Sequence, residues 1–589
     1  MSNFEFKNFL TKNWRILILI IFSVAFFFIY SWFPYQTSKP LKFSSPDATA
    51  NYFWAERVSG STANGAVKPH YEGTLTYFEP LNVVADDVVI PRSVRSDNGT
   101  VKPVSFLGII LIYGLISKIF GSWIIIYLTP LFAAIGVLFF YGIIKKIFNS
   151  KIAFISALLL LPFAPYWYYA SRSMFHNVLF VDLILIGVWF LILHRDVIKK
   201  NVKQDGDAAV PRLYALAIPF LSGIFFGLAI MTRVSELIWL VPAILLGGTI
   251  FFKQVKLDKL ISRPRLVSLS LIFLCGIFLA LLPMFYYNQI LYGGFLNFGY
   301  SQPGTVEVQN EIVVDPENIN GISVFTGMTQ KFLPFGFHPR AAWNNFVNYF
   351  VKMYWYLFWP ALIGGLLFLY KHKERDKKQW LYFVIFCTTS IILVSFYGSW
   401  AIQDNINPRS ITIGNSYTRY WLPMYIMAIP LAIMAWQKLS ELFKNKYFKE
   451  IIIYWFVILF FILNIQSAVF AEEEGLLIMR DNIIKDRGLA ENVLTQIESE
   501  AIIINQHFDK YFWPEHKVIV DNLNNEDYYS IYTDLISRGL PLYYYGFIFR
   551  EDALNHLNNE RLNKYSLRLD IIELDEENKL GLYKLTKEK

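Results

Sequence analysis

The chain has 589 residues, 55% hydrophobic and 18% aromatic but only 17% charged, with a formal net charge of +8. A water-soluble protein cannot bury that much apolar side chain, and the positive charge sits in short loops between apolar runs, which argues against a nucleic-acid partner. The two cysteines, Cys275 and Cys387, both fall inside apolar runs, so no disulfide framework supports the polar parts.

In chain order, apolar runs of about 17 to 23 residues, long enough to cross a bilayer core, lie near 14–33, 123–144, 152–169, 178–194, 213–231, 236–252, 266–288, 350–370, 380–397, 418–437 and 449–470. The first follows Lys7, Lys12 and Arg15 and lacks a small-residue cleavage motif, which predicts a retained anchor. The loops KKIFNSK, HRDVIKKNVK, KQVKLDKLISRPR, KHKERDKK and QKLSELFKNKYFK share the side of the basic N-terminus. The positive-inside rule makes that side cytoplasmic. An odd number of spans then puts 34–122, 289–349, 398–417 and 471–589 outside. The stretch PVSFLGIILIYGLISKIFGS, residues 103–122, is short and broken by glycines, and reads as a helix lying on the outer surface. Past residue 470 the pattern changes. AIIINQHF, KVIVDNL, LPLYYYGF and RLDIIELDEENKLGLYKL read as strands, with EDYYSIYTDLISRG as a helix between them. The fold class expected is a polytopic α-helical membrane protein of about eleven spans, residues 1–470, followed by a small extracytoplasmic α/β domain, residues 471–589.

The polar residues of the outer segments are the candidates for chemistry. In SSPDATANYFWAERV, Ser45, Pro46 and Asp47 are good helix-start residues, with a hydroxyl cap and an acid at the positive end of the dipole. Arg172 and Asn177 lie in YYASRSMFHN, and Asp182 about one turn below the outer end of the fourth run. Arg233 and Glu236 flank a tight turn and stand three apart, close enough to pair with each other. His338 and Arg340 lie in FGFHPR, and Arg419 and Tyr420 in SYTRYWLP. Ionisable groups gathered at one depth from scattered runs point to one shared site. A transporter would more often carry broken helices at the midplane and an internal repeat. The tyrosines and tryptophans at the run ends read as an interfacial belt, and Asn98-Gly-Thr is formally a glycosylation sequon.

In order and spacing, SPDATANYFWA, VKPVSFLG, YASRSMFHN, LAIMTRVSELIWLVP and SYTRYWLP resemble the C-type integral-membrane glycosyltransferases, in particular the protein O-mannosyltransferase and aminoarabinose-transferase branch. The likeness spans roughly residues 10–440. It implies an enzyme that takes a sugar from a polyprenyl-phosphate carrier and passes it to a protein, lipid or glycan acceptor on the non-cytoplasmic side, with membrane lipids around it. It implies Asp47 as the general base toward the acceptor hydroxyl. Lys102, of the Lys-Pro pair, Arg172, Asn177, Arg233, Arg419 and Tyr420 are implied around donor and carrier phosphate, where a guanidinium fork suits phosphate oxygens. Bland readings stand beside these: an interfacial lysine at 102 and a snorkelling arginine at 172.

The chain departs from the family at two points. Ala48 stands where many relatives have a second acid, and Asn177 where many have an aspartate. No cofactor is certain. One carboxylate gives weak support for a divalent metal, with His338 its candidate ligand, and Asp182 is the candidate replacement acid. The alternatives are a transporter or flippase of lipid-linked glycans, and a relative that has lost activity.

Overall fold

In lipid, every backbone N–H and C=O must find its partner within the segment, so long apolar runs become helices. The computed structural model describes residues 3–38, 41–60, 74–205, 212–257, 263–301, 336–402 and 410–588. Among these, seven helices are by themselves long and apolar enough to span a membrane: Asn13–Gln36, Ser122–Ile147, His176–His194, Val267–Tyr292, Lys377–Gly398, Leu422–Ser440 and Tyr447–Ala468. Three bent pairs bring the number to as many as ten. They are Ser150–Leu160 with Ala164–Arg172, bent by 49°, Leu216–Thr232 with Val234–Gly248, by 112°, and Pro339–Lys352 with Trp355–Tyr370, by 100°. These helices and pairs cover the eleven expected runs, the fifth and sixth being the two arms of the pair that bends at Arg233. The chain is an integral membrane protein, mostly helical, with a small C-terminal sheet.

The breaks follow from sequence. Pro162 and Pro165 cannot donate to a helix ladder, and the chain bends between Leu160 and Ala164. The N–H of Ala164 is taken by Asn464 Oδ1 at 2.6 Å, and the same oxygen accepts from Tyr356 Oη at 2.9 Å. A fully buried asparagine thus repairs the opened helix. At the next break, Ser173 and Met174 have φ of 55° and 50°, the left-handed region that side chains other than glycine avoid.

The chain forms two compact units, neither continuous: Met1–Phe33, Tyr127–Met284 and Gln309–Ile478 in the first, Pro34–Ile126, Phe285–Val308 and Met479–Lys589 in the second. The segment after the first span therefore belongs with the tail rather than with the spans, a grouping that the 1–470 and 471–589 division did not foresee.

In the second unit a small antiparallel sheet, ordered β1-β3-β2, is made of β1 (Tyr77–Phe78), β2 (Val94–Asp97) and β3 (Thr100–Pro103). Asn98 and Gly99 join β2 to β3 with φ of 48° and 80°, the positive values a tight two-residue hairpin needs. Asp87 accepts from both their N–H groups, at 2.6 and 2.8 Å. The surface helix expected at 103–122 is Leu107–Phe120, which packs on the Pro46–Ser59 helix; a Cβ at Gly114 would come within 2.5 Å of Val58 Cβ. Its last turn leaves Ile119 and Phe120 exposed.

The tail sheet, ordered β5-β4-β6-β8-β7, contains β4 (Ile502–Asn505), β5 (Lys517–Val520), β6 (Leu542–Phe547), β7 (Leu567–Asp575) and β8 (Leu580–Lys587). β5, β4 and β6 run parallel, and β8 and β7 continue antiparallel. Its core joins Ile502, Ile504, Ile519, Tyr532 and Leu542 to Ala85 and Val89 from the segment after the first span. That shared core is why the segment and the tail fold as one unit.

Candidate active site

The polar residues singled out in the sequence fall into two groups, one in each unit. In the membrane unit, Arg172, Arg233 and Arg419 come from three distant segments and converge on two aromatic rings. The guanidinium carbon of Arg172 lies 5.0 Å from the Phe175 ring centre, and that of Arg419 lies 4.9 Å from the same ring. Arg419 also lies 5.2 Å from the Tyr420 ring, and Arg233 4.7 Å from it. Each such contact is worth about 0.5–2 kcal/mol depending on how dry it is. Tyr420 is itself held between Tyr397, stacked at 4.4 Å, and Trp400, nearly parallel at 6.2 Å.

Local chemistry fixes these positions. Asn415 starts the short helix Ser416–Tyr420, its side chain accepting from Tyr417 N at 3.1 Å. The Tyr169 hydroxyl lies within 3.0–3.2 Å of the carbonyl oxygens of Ile413, Gly414 and Asn415, one of which takes its proton. That hydroxyl ties the helix bearing Arg172 to the turn bearing Arg419. Asn177 closes the link by donating from Nδ2 to the Arg419 carbonyl at 3.2 Å. Arg172 donates to Tyr168 Oη at 3.0 Å, and Arg419 to Ser416 Oγ at 2.6 Å.

Arg233 also pairs with Glu236 at 3.0 Å, as their spacing suggested, and donates to Tyr397 Oη, which donates to Glu236 Oε1 at 2.8 Å. The pair braces the 112° bend and holds Arg233 over Tyr420.

In the second unit, Asp47 is half-buried at the start of the Pro46–Ser59 helix. Ser45 has the extended backbone of an N-cap, but its side chain makes no capping bond, contrary to the hydroxyl cap expected. The Asp47 carboxylate accepts from Ser93 Oγ at 2.5 Å. Ser93 has a φ of 62°, a strained conformation of the kind held only where surroundings impose it. Lys102 lies on β3, not merely before a surface helix. It forms an ion pair with Asp97, two residues beyond its cross-strand partner Arg95 on β2, and donates to the Leu291 carbonyl at 2.7 Å. Burial raises the Asp97 pKa, but the bonds from Lys102 and Arg95 outweigh it and hold the carboxyl below its usual value.

Asp182 is fully buried in the fourth span. Its Oδ1 lies 2.8 Å from Tyr166 Oη, in a notch opened by Gly136, where a Cβ would come within 2.0 Å of it. Among the described residues its Oδ2 has no hydrogen-bond partner. Its contacts are thus with Tyr166 and Gly136 rather than with the arginine rings. His338 precedes the Pro339–Phe346 helix and donates its backbone N–H to Ser399 Oγ at 3.0 Å. Among the described residues no three His, Cys, Asp or Glu side chains are grouped to hold a metal ion. A hard divalent cation takes several anionic oxygens, and Asp47 with a serine hydroxyl does not make that donor set.

No family model matches the chain, and no curated protein matches it by sequence. Among solved structures it is similar to an oligosaccharyltransferase of Archaeoglobus fulgidus, tethered through a disulfide bond to an acceptor peptide containing the NVT sequon. That match has a TM-score of 0.51 at 13% identity, covering 99% of this chain and 75% of the other. The likeness is one of fold: the chain shares the fold of that oligosaccharyltransferase. The chain is also similar to ArnT from Cupriavidus metallidurans bound to undecaprenyl phosphate, with a TM-score of 0.44, 11% identity, and 97% and 98% of the two chains covered.

Sequence reasoning missed the residues that hold these arginines. Tyr168, Tyr169, Phe175 and Tyr397 sit at span ends, where aromatics suggest an interfacial belt, yet all four are buried. Their signal was position: each lies within a few residues of an arginine or of another ring in the group. Ser93 carried no motif at all.

Proposed function

We propose that the chain is a glycosyltransferase that moves a sugar from a polyprenyl-phosphate carrier to an acceptor hydroxyl at the outer face of the membrane. The observation that carries this reading is the convergence of Arg172, Arg233 and Arg419 on the shared Phe175 and Tyr420 rings. Guanidinium forks brought together from distant segments suit the oxygens of a lipid phosphate.

Mechanism follows from charge. The acceptor oxygen attacks the anomeric carbon as Asp47 takes its proton. The carbon–oxygen bond to the phosphate breaks, and its electron pair leaves on the carrier. Negative charge grows on that phosphate, and fixed guanidinium forks stabilise it more in the transition state than before it. Ser93 keeps the carboxylate aimed while leaving its second oxygen for the acceptor. The products are the glycosylated acceptor and free polyprenyl phosphate, and Asp47 returns its proton to solvent. No step is routed through a metal.

The purified protein in liposomes, given a polyprenyl-phosphate sugar and an acceptor, should release free polyprenyl phosphate and glycosylated product. Relocation of the lipid without product would instead identify a flippase, and binding without turnover an inactive relative. The orientation is a separate proposal. With Cys275 and Cys387 changed to serine, Asn524→Cys should react with an impermeant thiol reagent from outside, while Lys373→Cys stays protected until the membrane is opened.

A further inference from the structure

Three contacts tie the neighbourhood of Asp47 to one short strip of the tail, residues 507–515. Before the acid-bearing helix, Lys42 pairs with Glu515 at 2.7 Å and reaches the Trp513 carbonyl at 3.4 Å. Along that helix, the Phe53 ring packs on Trp513 with centroids 4.3 Å apart. Beside the carboxylate, Arg92 is clamped by Asp509. Its guanidinium meets Oδ1 at 2.6 and 3.1 Å, while its backbone N–H donates to Oδ2 at 2.9 Å. Asp509 is fully buried; burial raises its pKa, but Arg92 more than offsets this and holds it below the usual value. Arg92 is followed directly by Ser93, the residue that holds Asp47.

The sheet explains why the clamp sits there. The chain leaves β4 for β5 on one side and returns past β4 to β6 on the other. In open α/β sheets the carboxyl ends of two such strands form the crevice that usually takes a ligand. Here the loop leaving β4 is filled from within the same chain: Arg92 bonds Asp509 and, at 3.2 Å, the His507 carbonyl. His507 packs against Phe547, the last residue of β6. The segment preceding Arg92 is built into the tail's core through Ala85 and Val89.

We infer that the tail is a bracket whose crevice holds the chain's own Arg92, and that Arg92 and Asp509 are positioning residues for the Asp47 carboxylate. The strained φ at Ser93 is the conformation that the clamp imposes to aim its hydroxyl. This gives the tail a role in setting the acid without requiring it to bind any ligand.

The test uses the full-length protein in detergent or liposomes. In Arg92→Gln, amide exchange of peptides covering 44–59 and 88–97 should quicken by about 10- to 150-fold, with peptides of the membrane unit unchanged. Arg92→Lys should recover part of the protection, and Asp509→Asn should reproduce the loss. Unchanged exchange in the 44–59 peptides would overturn the bracket.

The second readout rests on the general-base reading of Asp47. Arg92→Gln should lower kcat by about 5-fold, the scale of the Ser93 hydrogen bond through which it acts, with little change in donor KM, and should cost nothing further in an Asp47→Asn background. A further loss there would place Arg92 on an independent route and overturn its positioning role. If exchange loosens while Arg92→Gln keeps full turnover, the general-base reading fails and the bracket stands.

Discussion

Asp47 and Arg419 are held by opposite means. The acid sits on a helix end in the second unit, its orientation set by one serine hydroxyl on a strained, clamped segment. The arginine sits in the membrane unit against faces of Phe175 and Tyr420, with Tyr169 and Asn177 fixing its backbone. The difference suits the work proposed for each. A base needs an open lone pair and a precise direction, so few bonds and a stiff mount serve it. A cation receiving phosphate charge needs a fixed fork, and the π faces supply attraction while Ser416 Oγ takes one of its N–H donors. Lys102 shows a third case. Its charge already meets Asp97, so it shapes a hairpin more than it offers a free cation.

Substitutions can break this comparison. The largest effect is expected from Asp47→Asn, which removes the base while keeping its size: turnover should fall by roughly 100- to 10,000-fold. Retention of more than about a tenth of wild-type turnover would return Asp47 to a helix-start residue. Arg419→Gln should cost about 10- to 150-fold in donor efficiency with acceptor affinity unchanged, and Arg419→Lys should recover only part. Steady-state kinetics with donor and acceptor varied separately reads both.

Lys102→Met should cost less than about 10-fold in donor use, because Asp97 already offsets its charge. A loss equal to that of Arg419→Gln would mean that the hairpin pair opens to receive phosphate. Ser93→Ala should cost about 5-fold in kcat, the scale of one neutral hydrogen bond. No change would show that the Asp47 carboxylate is aimed by something else.

The smallest effect concerns pH. Burial, then the charges of Arg92 and Lys510, lower the His507 pKa from 6.5 to about 4. The unfolded chain therefore takes up this proton first as the pH falls. The histidine's share of stability is whole above 6.5 and is lost between 6.5 and 4. Thermal melts across that range should fall less steeply with acid in His507→Gln than in wild type. Equal slopes would show that His507 titrates alike in both states.

Much of the fold was legible in the sequence because membrane and sheet both impose simple periods. Runs of lipid-spanning length gave the helices, and the β-branched clusters at 502–505 and 517–520 gave the parallel strands. The grouping of the segment after the first span with the tail was not legible. It rests on Ala85 and Val89 entering a core whose other members lie more than 400 residues later, a contact no local pattern announces. The β2–β3 hairpin was missed although Asn98-Gly99 is a strong turn signal; as part of Asn-Gly-Thr it was read as a sequon. The arginines were singled out by order and spacing. Their rings were not, because a buried tyrosine at a span end looks like a belt tyrosine until its neighbours are known.

The measurement that bears most directly on the division of labour is equilibrium binding of a polyprenyl phosphate to the wild-type protein, Asp47→Asn and Arg419→Gln, on preparations whose turnover is also measured. Both variants should lose turnover, but only Arg419→Gln should bind the carrier more weakly, by about 10-fold or more. If Asp47→Asn weakens binding as much, or Arg419→Gln binds like wild type, then acid and cation do not divide acceptor from donor, and the account fails.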